Sequence, residues 1–193
     1  VNYMRRFDPG VQELKRRLGR GDFGGIYKGV VWYSKGLLNN GSHFIDLLQY
    51  LLGPAGAVRV FSSRSGVLPG DPEPDFCLRL GDAEVYFLAG REECFSVREV
   101  TLMGTLGAIQ YLNGGLEIRA LSKASNPNAP GHTILDPNPE QIPNDLLRYQ
   151  WNVAEALYQA LAKGIEVASN GLSSLDTLRV VERIKEAIQK EPV

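Results

Sequence analysis

Between Ala57 and Ala120 the chain alternates apolar and polar residues over six short runs: VRVF, DFCLRL, AEVYFL, FSVREVTLM, AIQYL and LEIRA. A side-chain period of two belongs to strands that bury one face. Two of the gaps carry hairpin chemistry. Gly81-Asp82 joins CLRL to AEVYF, and Asn113-Gly114 joins AIQYL to LEIRA. Asn-Gly favours the left-handed backbone of a type I′ turn. Strands joined by tight turns pair antiparallel, because parallel neighbours need a crossover of a dozen or more residues. The centre of the chain therefore predicts an antiparallel meander.

Helical patterns flank it. In Pro9–Arg20, Val11, Leu14 and Leu18 recur at helical spacing, Asp8 stands at the N-cap and Gly19 and Gly21 at the end. IYKGVVWYS, Ile26–Ser34, reads as a strand, and Gly41–Leu52 as a buried helix stopped by Gly53 and Pro54. Leu121–Pro143 holds five prolines in 23 residues and reads as a long loop. Asn144–Lys163 is expected to be helical, with Leu147, Ala154, Leu157 and Leu161 on one face. Ser173–Gln189 should form the last helix, with Asp176 as its capping-box acid and Leu175, Leu178, Val181, Ile184 and Ile188 as its stripe. The sum is an α+β fold, a largely antiparallel open-faced sheet of about five to seven strands with helices packed on one face, in a single domain over residues 1–193. Phe95, Val97 and Met103 alternate with Val100 and Leu102, so both faces are apolar. The uncovered face is expected to hold a second copy of the chain, as a homodimer.

Composition removes several function classes. Net charge is −1 and there are two histidines, so no global basic field for nucleic acid exists. Eight Lys/Arg against three Asp/Glu in the first 35 residues make that end locally basic, read as a solvated helix face. Cys77 and Cys94 form no CxxC pair, and no zinc-type ligand set is spelled. No apolar run approaches the ~20 residues that span a bilayer. The expectation is a cytoplasmic protein without metal. GRGDFG at Gly19–Gly24 spells GxGxxG, but with a helix before and a strand after. A dinucleotide loop needs the reverse order, so this run reads as a helix stop and turn.

One histidine is placed where chemistry can happen. His43 falls near the start of the helix in SKGLLNNGSHFIDLLQYLLG, with Asn39 four residues before and Asp46 three after. Asp46 shares a helical face with it and could orient the imidazole. A helix N-terminus disfavours imidazolium, which suits a neutral proton acceptor. The same residue could equally cap the helix or fill space.

Four passages resemble the C-terminal domain of the glucose-fructose oxidoreductase / inositol dehydrogenase / rhizopine-catabolism (Gfo/Idh/MocA) oxidoreductases: NYMRRFDP, RRLGRGDFGGIYKG, KGLLNNGSHFIDLLQYLLG and LMGTLGAIQYLNGG. The third is the most specific, and together they span nearly the whole chain. The resemblance implies an NAD- or NADP-dependent enzyme acting on a sugar, cyclitol or derivative. Its cofactor would be held mainly by an N-terminal Rossmann domain outside this chain, which would also carry a Lys in a Glu-Lys-Pro motif. His43 matches the catalytic histidine. Asn39 stands where many members have Asp, and an amide binds a hydroxyl rather than acting as a base. Lys35, Asn39, Asn40, Arg148 and Tyr149 are expected at the substrate. Lys35 is open to a second reading as a solvated strand-end residue, and one of Arg5 and Arg6 is read as a surface charge. His132 is expected to be exposed in the Pro-rich loop. The chain opens on VNYM, which reads as a strand, and without methionine, so the expectation is a fragment, inactive by itself. The alternative is a non-catalytic ligand-binding or scaffold domain that retains the fold.

Overall fold

The structure, a computed structural model, describes residues 2–190. Helix α1 runs Pro9–Arg20, strand β1 Ile26–Tyr33 and helix α2 Ser42–Leu52. Six longer strands follow: β2 (Ala55–Ser65), β3 (Pro72–Leu80), β4 (Ala83–Ala89), β5 (Arg98–Gly104), β6 (Gly107–Leu112) and β7 (Glu117–Ser125). Two short ones, β8 (Thr133–Leu135) and β9 (Glu140–Gln141), precede helices α3 (Tyr149–Lys163) and α4 (Gly171–Lys190).

The nine strands form one sheet in the order β2-β3-β4-β1-β5-β6-β7-β8, with β9 also on β7. Among the described residues all pairs are antiparallel except one: β1 lies parallel to β4, with Val31 opposite Phe87, and antiparallel to β5. The meander is thus opened between β4 and β5 to admit a strand from the N-terminal part. Gly29 makes the fit possible, since a Cβ there would come within 2.7 Å of the Leu102 side chain.

One sheet face carries the core. Val31, Val85, Phe87, Phe76, Leu78, Val100, Leu102, Ile109 and Ile118 are buried with Val11 and Leu14 of α1, Phe44, Ile45, Leu47 and Leu48 of α2, and Val181 and Ile184 of α4. Burial of this apolar surface is the main stabilising term. The Phe76 and Phe87 rings stack at 4.4 Å, and the Tyr33 hydroxyl donates to the Pro74 carbonyl at 2.6 Å. On the other face Phe61 stacks on Tyr86 at 5.9 Å, Lys28 pairs with Glu84, and Trp32 and Phe61 are exposed.

Several expected elements differ. The opening residues do not form a strand: Met4–Phe7 turns as a 3-10 helix, while Val1 lies outside the described residues. Arg5 and Arg6 are both buried, because Arg6 reaches across to Asp46 and Arg5 lies over the Phe44 ring. Asp8 precedes α1, but its side chain accepts from the Asp145 N–H (2.7 Å) instead of capping the helix. The Pro-rich tract is shorter than read, because β7 extends into it and β8 and β9 fold back onto β7. Strand β5 starts at Arg98 and leaves Phe95 exposed outside it.

The last two helices are turned relative to expectation. α3 starts at Tyr149 after a 3-10 turn, Leu146–Arg148, and buries none of its residues; Leu147, Trp151, Leu157, Tyr158 and Leu161 point outward. Its partly covered positions are Tyr149 and Gln159 and the smaller Asn152, Val153, Ala156 and Ala160. In α4, Leu175 and Leu178 are exposed, while Ser174, Thr177, Val180, Val181 and Ile184 face inward. Thr177 fixes that rotation, donating to Asp46 (3.2 Å) and accepting from Gln49 (3.1 Å). The capping box is made one turn earlier than expected: Ser173 N–H donates to Asn170 Oδ1 (2.9 Å) and Asn170 N–H to Ser173 Oγ (3.1 Å), leaving Asp176 to pair with Arg179. No helix among the described residues is long and apolar enough to cross a membrane, and no group of three potential metal ligands occurs among them.

Candidate functional site

The segment before α2 is the least ordinary backbone in the molecule. Gly36–Gly41 winds as a π-helical turn that runs directly into α2. π-Turns inside helices recur at functional sites. The free N–H groups at a helix start need acceptors. Here two buried carboxylates from the β2–β3 connection and β3 supply them. Glu73 Oε1 accepts from Lys35 and Gly36 N–H (3.1 Å each), and Asp71 accepts from Leu38 (2.7 Å) and Asn39 (3.0 Å). Glu73 Oε2 lies 2.6 Å from Arg64 Nη2. Gly36 adopts φ +90°, and a Cβ there would fall 2.0 Å from Asp71 Oδ2, so no other residue fits. Lys35 also sits in the left-handed region, with its side chain exposed.

This clamp presents His43, the second residue of α2. The ring is half-buried, edge-on to Tyr3 at 5.2 Å between centroids. Burial, helped by the positive charge of Arg5, lowers its pKa from 6.5 to about 4. The imidazole is therefore neutral at ordinary pH. Its Nδ1 is buried and has no hydrogen-bond partner among the described residues. Asp46 does not orient it. The Asp46 carboxylate is taken by Arg6, through Nε at 2.8 Å and Nη2 at 2.7 Å, and by the Thr177 hydroxyl. The i, i+3 spacing placed the two residues near each other, but a fully buried carboxylate needs a cation, and Arg6 supplies one.

The other sequence-named residues separate into two groups. Asn39 and Asn40 lie in the π-turn. The Asn40 amide donates to the Ser34 carbonyl at 2.8 Å, which makes it a latch rather than a free substrate contact. Asn39 contributes its backbone N–H to Asp71, and its side chain is half-buried. Tyr149 lines a cleft of about 220 Å³ together with Arg5, Arg98 and Asn113. Arg148 stands beside that cleft, mostly exposed, over the Trp151 ring at 5.6 Å and near Asp145. His43 does not line this cleft, but Arg5 acts on both. His132 is exposed on the connection before β8.

Sequence reasoning missed Asp71, Glu73, Arg98 and Asn113 as site residues. Arg98 was within reach: it opens β5, Asn113 follows β6, and an antiparallel β5–β6 pair brings those two ends to the same edge. Asp71 and Glu73 gave no local signal, since the N–H groups they accept from lie more than thirty residues earlier. GRGDFG behaves as a helix terminator: Gly21 takes φ +80° and its N–H meets the Arg17 and Leu18 carbonyls.

No protein-family profile matches the sequence, and no curated protein matches it. Solved structures do. Levoglucosan dehydrogenase in complex with NADH and levoglucosan superposes with a TM-score of 0.76 at 18% identity, over 97% of this chain and 63% of its own. The WlbA dehydrogenase from Bordetella pertussis, in complex with NADH and UDP-GlcNAcA, gives 0.72 at 15% identity, over 98% and 62%. UDP-N-acetylglucosamine 3-dehydrogenase GnnA from Acidithiobacillus ferrooxidans gives 0.71 at 13% identity, over 97% and 60%. The chain thus spans about three-fifths of the length of the structures it matches. With a mostly antiparallel nine-stranded sheet and helices on one side, it has the fold of the C-terminal domain of Gfo/Idh/MocA-type dehydrogenases.

Proposed function

We propose that this chain is the substrate-binding and dimerisation domain of a cytoplasmic NAD(P)-dependent oxidoreductase acting on a sugar, cyclitol or sugar derivative, with His43 in proton transfer. The observation that carries the reading is the placement of His43: a half-buried imidazole on the first turn of α2, kept neutral down to about pH 4. The greater lengths of the matching dehydrogenases, and their complexes with NADH and levoglucosan or UDP-GlcNAcA, support it.

The residues here fit one side of such a reaction. The neutral imidazole suits proton acceptance, whereas GRGDFG caps a helix and does not fit dinucleotide phosphates. The phosphate contacts are therefore assigned to a nucleotide-binding domain outside this chain, and the chain alone is inactive. A bound nicotinamide supplies the hydride acceptor or donor. His43 takes the substrate hydroxyl proton in the oxidation direction and returns it in reduction. Asp71 and Glu73 hold the turn that aims it, Asn39 offers an amide to a substrate hydroxyl, and Arg5 keeps the imidazolium disfavoured.

Two measurements test this. The coding sequence before Val1 should specify a strand–GxGxxG–helix unit; its absence sinks the enzyme reading. In the longer polypeptide, His43→Ala should lower kcat on the order of 10²–10⁴-fold, the usual contribution of general acid–base catalysis. Unchanged NAD(P)H formation would assign the chain to a non-catalytic role.

A further inference from the structure

The cleft lined by Arg5 and Tyr149 has an unusual charge balance. Arg5 and Arg98 both line it, and no acidic side chain does. Buried arginines are normally paired, because desolvating a cation without a counter-charge is costly. Arg6 obeys that rule through Asp46. Its neighbour Arg5 is just as buried, at 5% exposure, yet forms no ion pair among the described residues, and its buried Nε has no hydrogen-bond partner. Its surroundings are the Phe44 ring, 5.0 Å from the guanidinium, the Tyr111 phenol and, within electrostatic reach, the Asp46 carboxylate that Arg6 already binds. Arg98 also makes no ion pair among the described residues. Glu92 is within electrostatic reach of it, but that carboxylate is already bonded to the hydroxyls of Ser34 and Ser96.

Local structure holds this arrangement in place. Asn113 and Gly114 both have positive φ, 52° and 69°, and turn the β6–β7 connection over the cleft. Gly114 packs against Arg98, and Gly115 leaves no room for a side chain, since a Cβ would fall 1.9 Å from the Tyr111 hydroxyl. Asn113 adds an amide and Tyr149 a phenol to the rim, and Leu146 closes an apolar wall. About 220 Å³ is less than the roughly 300 Å³ at which drug-sized ligand sites begin, so the cleft takes one end of a ligand.

We propose that this cleft binds an oxyanion, the carboxylate or phosphate of an acidic sugar derivative, held between Arg5 and Arg98. Guanidinium groups match such planar or tetrahedral anions with paired, charge-assisted hydrogen bonds. Arg5 ties the cleft to His43, so the anion anchors the substrate next to the proton-transfer group. That last step rests on the oxidoreductase reading above; the binding of the anion does not.

The test is calorimetric titration of the 193-residue chain with D-glucuronate, D-glucose 6-phosphate and D-glucose. One of the two anions is expected to bind on the order of tenfold or more tighter than glucose, as expected for hydrogen bonds to a charged group. The acid and phosphate arms separate the two sources. Arg98→Gln, at an exposed position, should remove that preference, as should Arg5→Gln where it folds. Equal binding of the three sugars, no binding of any, or an unchanged preference in Arg98→Gln overturns the proposal. His43→Asn separates the two readings. It should keep anion binding in this chain while abolishing NAD(P)H formation in the longer polypeptide. Anion binding that persists beside undiminished turnover removes only the catalytic reading.

Discussion

His43 and Asp46 show how one helical turn divides into two tasks. Both face the same side of α2, yet the carboxylate is consumed by Arg6 and the imidazole is left neutral. The pH consequence follows from proton counting. In the folded chain His43 binds its proton only near pH 4, while the unfolded chain binds it near 6.5. Between these values the unfolded state holds more protons. The stabilising contribution is therefore complete above pH 6.5 and is lost as pH falls toward 4, by at most on the order of 3 kcal/mol. An imidazole C–H titration followed by NMR should give a midpoint near 4 for His43. A midpoint at the ordinary histidine value would mean that the ring is solvated.

At the scale of elements, the π-turn depends on residues far from it in sequence. Removing the Asp71 carboxylate leaves the Leu38 and Asn39 N–H groups without acceptors. Asp71→Ala should cost about 1–3 kcal/mol locally. Hydrogen exchange checks it: those two amides should lose protection while the β6–β7 ladder keeps its own. The same contrast explains what could be read in advance. Pro9–Arg20, the β3–β4 hairpin at Gly81-Asp82 and the Gly53 stop of α2 carry their signals within a few residues, and all three form where expected. The Asp71–Glu73 clamp, the rotation of α4 by Thr177 and the outward turn of α3 depend on distant contacts, so local periodicity pointed elsewhere. In α3 the large residues face away from the sheet, so a rule that sends them inward gives the wrong face.

At the scale of the whole molecule, the uncovered sheet face has apolar surface to gain from a partner. Trp32 and Phe61 are exposed there, with Tyr86 and the Lys28–Glu84 pair between apolar neighbours. Such a face favours self-association. Sedimentation velocity at high micromolar concentration should show a dimer, and Trp32→Glu should shift it to monomer. A clean monomer for the unaltered chain would remove the face from consideration. The alternating runs made the sheet legible, but not the order of its strands, because nothing local in Ile26–Tyr33 announces where that strand will insert. The position of β1 carries a cost in timing. Both of its neighbours lie more than fifty residues downstream, so a ribosome emitting this chain must finish the second hairpin before the first strand finds its slot. Until then an apolar strand waits unpaired, and long-range pairing of this kind is slow.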